Sequence, residues 1–248
     1  MFKSLRVRLS QGKQFIPDVR AATPAGFRGL PVISSDACAE GCDACVAACP
    51  TGAVRLDPVT IDLGRCIFCN DCVLACPQSK IELTPDPHLA STARAELSIS
   101  ALEKRTTVRA HEGFAKLFKR SLKLRQVSAG GCNGCELELN ATANVNFDLQ
   151  RYGIEWVASP RHADALVVSG TLTRTMKDAV RLAWDAMAEP RFVVAVGACA
   201  ISGGLYENAR GVDRGFLDEV TPALYVPGCP PHPLTFVNAI LDFLGIPT

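Results

Sequence analysis

Twelve cysteines in 248 residues carry the chemistry of this chain. Cys38, Cys42, Cys45 and Cys49 run up to Pro50, and Cys66, Cys69, Cys72 and Cys76 run up to Pro77. The last three cysteines of the first unit recur 27 residues later in the second, while Ala39-Glu40-Gly41 makes the first gap one residue longer. The other four, Cys132, Cys135, Cys199 and Cys229, are scattered over the loops GGCNGCE, VGACAISGG and VPGCPPHP. In a reducing compartment so many thiols are kept to bind metal or to react, not to form disulfides. Tetrahedral zinc and iron-sulfur clusters are the chemistries open to sets of four, and a redox dithiol is a third for the isolated CxxC pair.

The elements around these residues show two kinds of architecture. Residues 1–33 carry a net charge of +5, with Phe2, Leu5 and Leu9 at helical spacing, and predict a short basic amphipathic helix. The two cysteine units occupy 34–87 and imply a small α+β module. Residues 88–125 contain no cysteine and read as a helical linker, with a net +7 over 104–125 and an apolar set of Phe114, Leu117, Phe118 and Leu122. From 126 to 248, strands at LRQV, IEWV, ALVVSG, RFVVAVG and ALYV alternate with helices over 137–149, 176–188 and 234–244. That alternation predicts a parallel sheet covered on both faces. All the late cysteine loops follow strands, so they gather at the carboxyl edge of the sheet, where such folds bind ligands. With 26 basic and 25 acidic residues there is no overall field for nucleic acid. No apolar run spans a bilayer, and the charged start MFKSLRVRLSQGK predicts a chain that is not exported.

CIFCNDCVLACP resembles the bacterial ferredoxin run, in which three closely spaced thiolates hold one cubane and the fourth reaches the other. That resemblance implies crossed sets: Cys38, Cys42, Cys45 with Cys76, and Cys66, Cys69, Cys72 with Cys49. Gly41 can relax the longer first loop, so Cys38 is kept as a ligand, and the departure leaves open a slightly different potential or a labile corner iron there. Thr51-Gly52-Ala53 and Gln78-Ser79-Lys80 either place backbone N–H groups near sulfide, which would tune potential, or form ordinary turns.

GGCNGCELE, SPRHADALVVSGTLTR, EPRFVVAVGACAISGG and YVPGCPPHP together resemble the small electron-transfer subunit shared by membrane-associated NiFe hydrogenases and respiratory complex I. FRGLPVIS and LGRCIFCNDC resemble the two-cluster ferredoxin-like subunit of the same complexes, so two modules are joined in one chain. The resemblance implies a flavodoxin-like α/β domain, with Cys132, Cys135, Cys199 and Cys229 holding a third 4Fe-4S cluster against a large catalytic subunit. It also implies membrane subunits as partners, a donor or acceptor protein at the ferredoxin module, and a peripheral place on the cytoplasmic face of the inner membrane. The separated pair Cys132-Asn133-Gly134-Cys135, the following Glu136 and His162 resemble the hydrogenase branch, formate hydrogenlyase included. A complex I-like quinone oxidoreductase is the alternative.

Glu136 and Glu138 begin the helix after the CxxC loop, as favourable charge at its N-terminus or, for Glu136, as a proton relay. His232 reads as a turn residue, and His88 and His111 are given no role. Arg161 and Arg174 flank a strand and are candidates for the large-subunit contact. No nickel-binding pair is left over, because all the cysteines are committed to clusters.

Overall fold

The computed structural model describes all residues except Met1, Lys13, Arg105, Lys119, Arg120, Pro247 and Thr248. Helix α1 (Phe2–Gln11) is followed by the ferredoxin-like module: β1 (Pro31–Ile33), α2 (Ala44–Ala47), β2 (Val54–Arg55), β3 (Thr60–Asp62), α3 (Asp71–Ala75) and β4 (Ile81–Leu83). The sequence repeat becomes two β-α-β units related by swapped partners, since β1 pairs with β4 and β2 with β3, both antiparallel.

Residues 88–125 are not the helical linker their composition suggests. They hold β5 (Ser98–Ser100), α4 (Glu112–Phe118) and the start of β6 (Leu122–Ser128). β5 adds to β3 as the third strand of that sheet, with Ile61 opposite Ile99. The reason is tertiary: burying Leu97 and Ile99 against the ferredoxin-like core outweighs a weak local preference for helix. Of the expected helical face, Phe114 stacks on Phe192 at 4.7 Å and Phe118 lies 6.4 Å from the same ring, whereas Leu117 is exposed and Leu122 is a buried strand residue. Within the basic stretch, Arg109 pairs with Glu96 and Lys123 with Glu155, while Arg105, Lys119 and Arg120 lie outside the described residues.

The rest of the chain is α5 (Gly134–Ala141), β7 (Ile154–Trp156), β8 (Ala165–Ser169), α6 (Lys177–Asp185), β9 (Phe192–Val196), α7 (Gly197–Ser202), α8 (Gly215–Glu219), β10 (Leu224–Val226) and α9 (Pro233–Phe243). Five strands form one parallel sheet in the order β10-β9-β8-β6-β7, the doubly wound flavodoxin-like order. Every residue of β8 and β9 is buried, as an apolar run in the middle of a two-sided sheet must be. Alternation sorts their side chains. Val167, Val194 and Val226 face α9, while Leu166, Val168 and Val193 face α6 and α8.

Ala195 and Tyr225 pack with Ala200 and Ile201 of α7 into the core built around Leu63, Phe68 and Leu89 of the ferredoxin-like module. Ser91 extends the joint by bonding β10: its N–H donates to the Tyr225 carbonyl at 3.1 Å and its carbonyl accepts from Tyr225 N–H at 2.9 Å. Arg65–Glu207 adds an ion pair across it. The N-terminal segment also crosses the molecule. Arg20 donates to Asp242 at 2.6 Å and to the Ile246 carbonyl at 3.0 Å, and Asn238 of α9 donates to the Val19 carbonyl at 2.9 Å. Among the described residues no helix is long and apolar enough to cross a membrane.

Candidate cluster-binding sites

The repeat is exact enough in backbone to recur at its left-handed positions. Gly41 (φ 68°) corresponds to Phe68 (φ 56°), and Gly52 (φ 59°) to Ser79 (φ 50°). The extra residue of the first unit therefore sits ahead of Gly41, and the turn that delivers Cys42 matches the one that delivers Cys69. Four residues after each Cys-Pro cysteine an amide turns back on its sulfur: Ala53 N–H donates to Cys49 Sγ at 3.2 Å, and Lys80 N–H to Cys76 Sγ at 3.4 Å. These are the N–H groups expected near sulfur. They donate to the cysteine itself.

The thiols sense one another across the repeat. Burial pushes the Cys45 thiol up, and among the neighbouring thiols Cys76 and Cys38 add to it. Burial pushes Cys66 up to about 12, with Cys72, Cys49 and Cys69 acting in the same direction. Cys72 is pushed up to about 11 by burial and then by Cys49 and Cys69. The fourth thiol of each unit thus lies in the field of the other unit's trio. Cys49 behaves differently: burial raises it, but the amides of Thr51, Ala53 and Val54 and the Thr51 hydroxyl outweigh burial and hold the thiol low.

The third set forms at the carboxyl edge of the parallel sheet, where Cys132 and Cys135 follow β6, Cys199 lies in α7 after β9, and Cys229 follows β10. Burial pushes Cys135 up to about 12, with Glu136, Cys199, Cys229 and Cys132 adding to it, and Cys199 up to about 11 with Cys229 and Cys132. Gly197 explains the close approach. It has φ 86°, and a Cβ there would stand 2.8 Å from Cys135 Sγ. Arg214, which no sequence signal marked, donates from Nη1 to the Cys199 carbonyl at 3.0 Å and from Nη2 to those of Ala200 and Ile201 at 2.7 and 2.9 Å.

Among the described residues no three His, Cys, Asp or Glu side chains converge closely enough to share a single metal ion. Thiols that raise one another's pKa are held back from ionising until a metal binds them as thiolates. Each set gathers four sulfurs that would repel one another as thiolates, a donor set that bound cations relieve, and the residues fit iron-sulfur clusters on that ground.

Glu136 is tied to the ends of two strands. Ser169 Oγ donates to its Oε1 at 2.7 Å, Ser128 donates as well, and these bonds outweigh the effect of burial to hold the carboxyl below its ordinary range. Burial alone raises Glu138. His232 caps α9, its Nδ1 accepting from Leu234 N–H at 3.1 Å, and its ring packs on Phe27 and Phe147. His88 contacts Asp86 at 2.6 Å, and His111 stacks on Phe114 at 4.1 Å. Arg161 and His162 precede β8 and so lie at the amino end of the sheet, opposite the cysteines, whereas Arg174 follows β8 at the cysteine edge and is exposed.

The two regions meet at their sulfur loops. Ile67 and Phe68, between Cys66 and Cys69, line a cavity of about 200 Å³ with Gly228, Cys229 and Pro230. Arg28, also in its wall, donates to the Cys69 carbonyl at 2.9 Å.

Residues 132–243 match the protein family described as NADH ubiquinone oxidoreductase, 20 Kd subunit, and residues 37–80 match the 4Fe-4S dicluster domain. The chain is 35% identical over 127 residues to "Probable membrane-bound hydrogenase subunit mbhJ" of Pyrococcus furiosus, covering 51% of this chain and 75% of that one. It belongs to the 20 kDa subunit family. Other relatives of this 20 kDa-type chain include formate hydrogenlyase subunit 7 of Escherichia coli, 41% identical over 132 residues, 53% of this chain and 51% of the relative. An NADH-quinone oxidoreductase subunit of Desulfovibrio desulfuricans is 49% identical over 100 residues, 40% of this chain and 54% of the relative. The match thus spans about half the length of these last two relatives. With the dicluster match and its cysteine sets, this family member is an iron-sulfur protein of an oxidoreductase family.

Proposed function

We propose that this chain is the electron-transfer subunit of a membrane-associated NiFe hydrogenase of the formate hydrogenlyase kind, holding three 4Fe-4S clusters and serving an active site on a partner large subunit. The ligand sets are Cys38, Cys42, Cys45 and Cys76, then Cys66, Cys69, Cys72 and Cys49, then Cys132, Cys135, Cys199 and Cys229. The modules proposed for them are 34–87 and 126–248, joined by 88–125. Bound clusters of this kind accept and give up single electrons.

One observation carries the reading of a relay: the Cys66–Cys69 loop abuts the Cys229 loop across a shared apolar core. The middle site is therefore the Cys66 set, with the Cys38 set at the outer end and the Cys132 set at the inner end. Joining the modules through a common core holds the last two sites at a fixed separation, which no freely diffusing carrier would do. Phe68 and Leu89 are buried in the wall of the cavity between them.

The exposed Cys132 and Cys229 and the exposed Leu137 of α5 support the carboxyl edge as the side for a large subunit to cover. For Glu136 the geometry supports anchoring α5 to β6 and β8; a relay draws no support from a carboxyl held ionised by two hydroxyls. Helix α1 has no buried residue, displays Phe2, Leu5 and Leu9 beside Lys3, Arg6 and Arg8, and supports a peripheral contact with the cytoplasmic face of the membrane.

Identity to the quinone oxidoreductase subunit keeps a second reading, a complex I-like quinone reductase. Anaerobic purification of the intact complex separates the two. Nickel with H2 evolution supports the hydrogenase, and quinone reduction without nickel replaces it with the second reading.

A further inference from the structure

Lys80 and Ala53 are equivalent in the repeat, 27 residues apart, and both turn a backbone N–H onto a cysteine sulfur. Their side chains differ in the one property that matters to a charged centre. Ala53 is buried among Cys49, Cys66, Cys69, Cys72 and the apolar side chains of Val54, Ile61, Phe68 and Leu83. Lys80 is only 7% exposed and lines a cavity of about 560 Å³ together with Cys38 and Cys42.

Among the described residues the Lys80 ammonium makes no ion pair and no hydrogen bond. Asp36, Glu40 and Asp57 share the cavity but are exposed to water, and none is paired with it. The stem is buried, and the ammonium, which is not sealed from water, shares that cavity with Cys38 and Cys42. The remaining anionic groups in that cavity wall are the thiolates.

We propose that Lys80 is the counter-ion of the cluster held by Cys38, Cys42, Cys45 and Cys76, and that its charge raises the reduction potential of this cluster. The inference rests on the proposed ligand sets. Reduction adds one electron and one negative charge, with no bond made or broken, so a fixed positive charge alongside favours the reduced form. Exposed Cys38 admits water to the same site, which acts in the same direction.

The test is an anaerobic redox titration of the iron-loaded chain followed by electron paramagnetic resonance, comparing wild type with Lys80→Met, Lys80→Arg and Lys80→Gln. The backbone N–H to Cys76 survives in all three, and Lys80→Met and Lys80→Gln remove only the side-chain charge. These two are expected to lower one cluster's reduced-to-oxidised ratio at fixed potential about tenfold, or about 59 mV for one electron. The other clusters stay where they were, and Lys80→Arg titrates like wild type. Superimposable titrations of wild type and Lys80→Met at equal iron content overturn the inference, as does loss of the cluster from all three variants, which makes Lys80 structural. Wild-type protein that holds no iron overturns the proposed ligand sets themselves, and this inference with them.

Discussion

Arg214 forks onto the end of the helix that carries Cys199, with Nη1 3.0 Å from the Cys199 carbonyl and Nη2 2.7 Å from that of Ala200. Helix α7 is six residues long and ends at Gly203. Gly203 N–H donates to the Cys199 carbonyl, and the guanidinium adds a second donor there and serves the Ala200 and Ile201 carbonyls, with a charge of the favourable sign for a helix C-terminus.

Arg214→Met removes a charged donor from three half-buried carbonyls. The expected loss is about 2 kcal/mol of folding stability, read by urea unfolding, with iron lost first from the Cys132 set. Lys cannot reproduce the fork, so Arg214→Lys recovers little of it.

Gly197→Ala places a methyl 2.8 Å from Cys135 Sγ at φ 86°. The chain is expected to fold and keep the two clusters of the ferredoxin-like module while losing the third, seen as a drop in iron content and the disappearance of one paramagnetic signal. Retention of all the iron would contradict the close approach.

Crossing of the ligands is tested by exchanging the fourth thiol of each unit. Cys76→Ser is expected to perturb the cluster of Cys38, Cys42 and Cys45, and Cys49→Ser that of Cys66, Cys69 and Cys72. Since Lys80 marks the first of these by its effect on potential, the two substitutions alter different signals. Perturbation of the same signal by Cys49→Ser and Cys45→Ser would show ligands confined within each unit.

Metal-free protein is expected to lose stability in alkali. Burial pushes Cys66 and Cys135 up to about 12 and Cys72 and Cys199 up to about 11, from an ordinary value of 9.0. A group whose folded pKa is raised favours the folded state below its unfolded pKa, and that benefit is lost as pH rises through the folded pKa. The melting temperature of the reduced, iron-stripped chain therefore falls as pH rises from about 9 through about 12. The iron-loaded chain, whose ligand thiols are already deprotonated, does not show this fall.

Much of this was legible because its causes are local. Ligand chemistry fixes cysteine spacing within a turn or two, and the runs ALVVS and FVVAV are apolar because both faces of their strands are covered. What the sequence hid depends on contacts far along the chain. β5 is a strand because Ile99 meets Ile61, and Ser91 is ordered by Tyr225 on the other side of the molecule. α7 escaped notice because GACAIS is short and small, and its C-terminal cap comes from an arginine fifteen residues past Cys199. Arg20 and Arg28 look like part of a basic surface, yet they bind Asp242 and the Cys69 carbonyl. Lys80 reads as the end of a turn, and its burial beside Cys38 is visible only in three dimensions.

The account stands on three clusters in one chain. Iron and acid-labile sulfide, measured together on anaerobically purified protein with paramagnetic resonance on the reduced sample, test it most directly. About twelve of each per chain, with three interacting signals, is the predicted result. Colourless protein with stoichiometric zinc and no labile sulfide would contradict it.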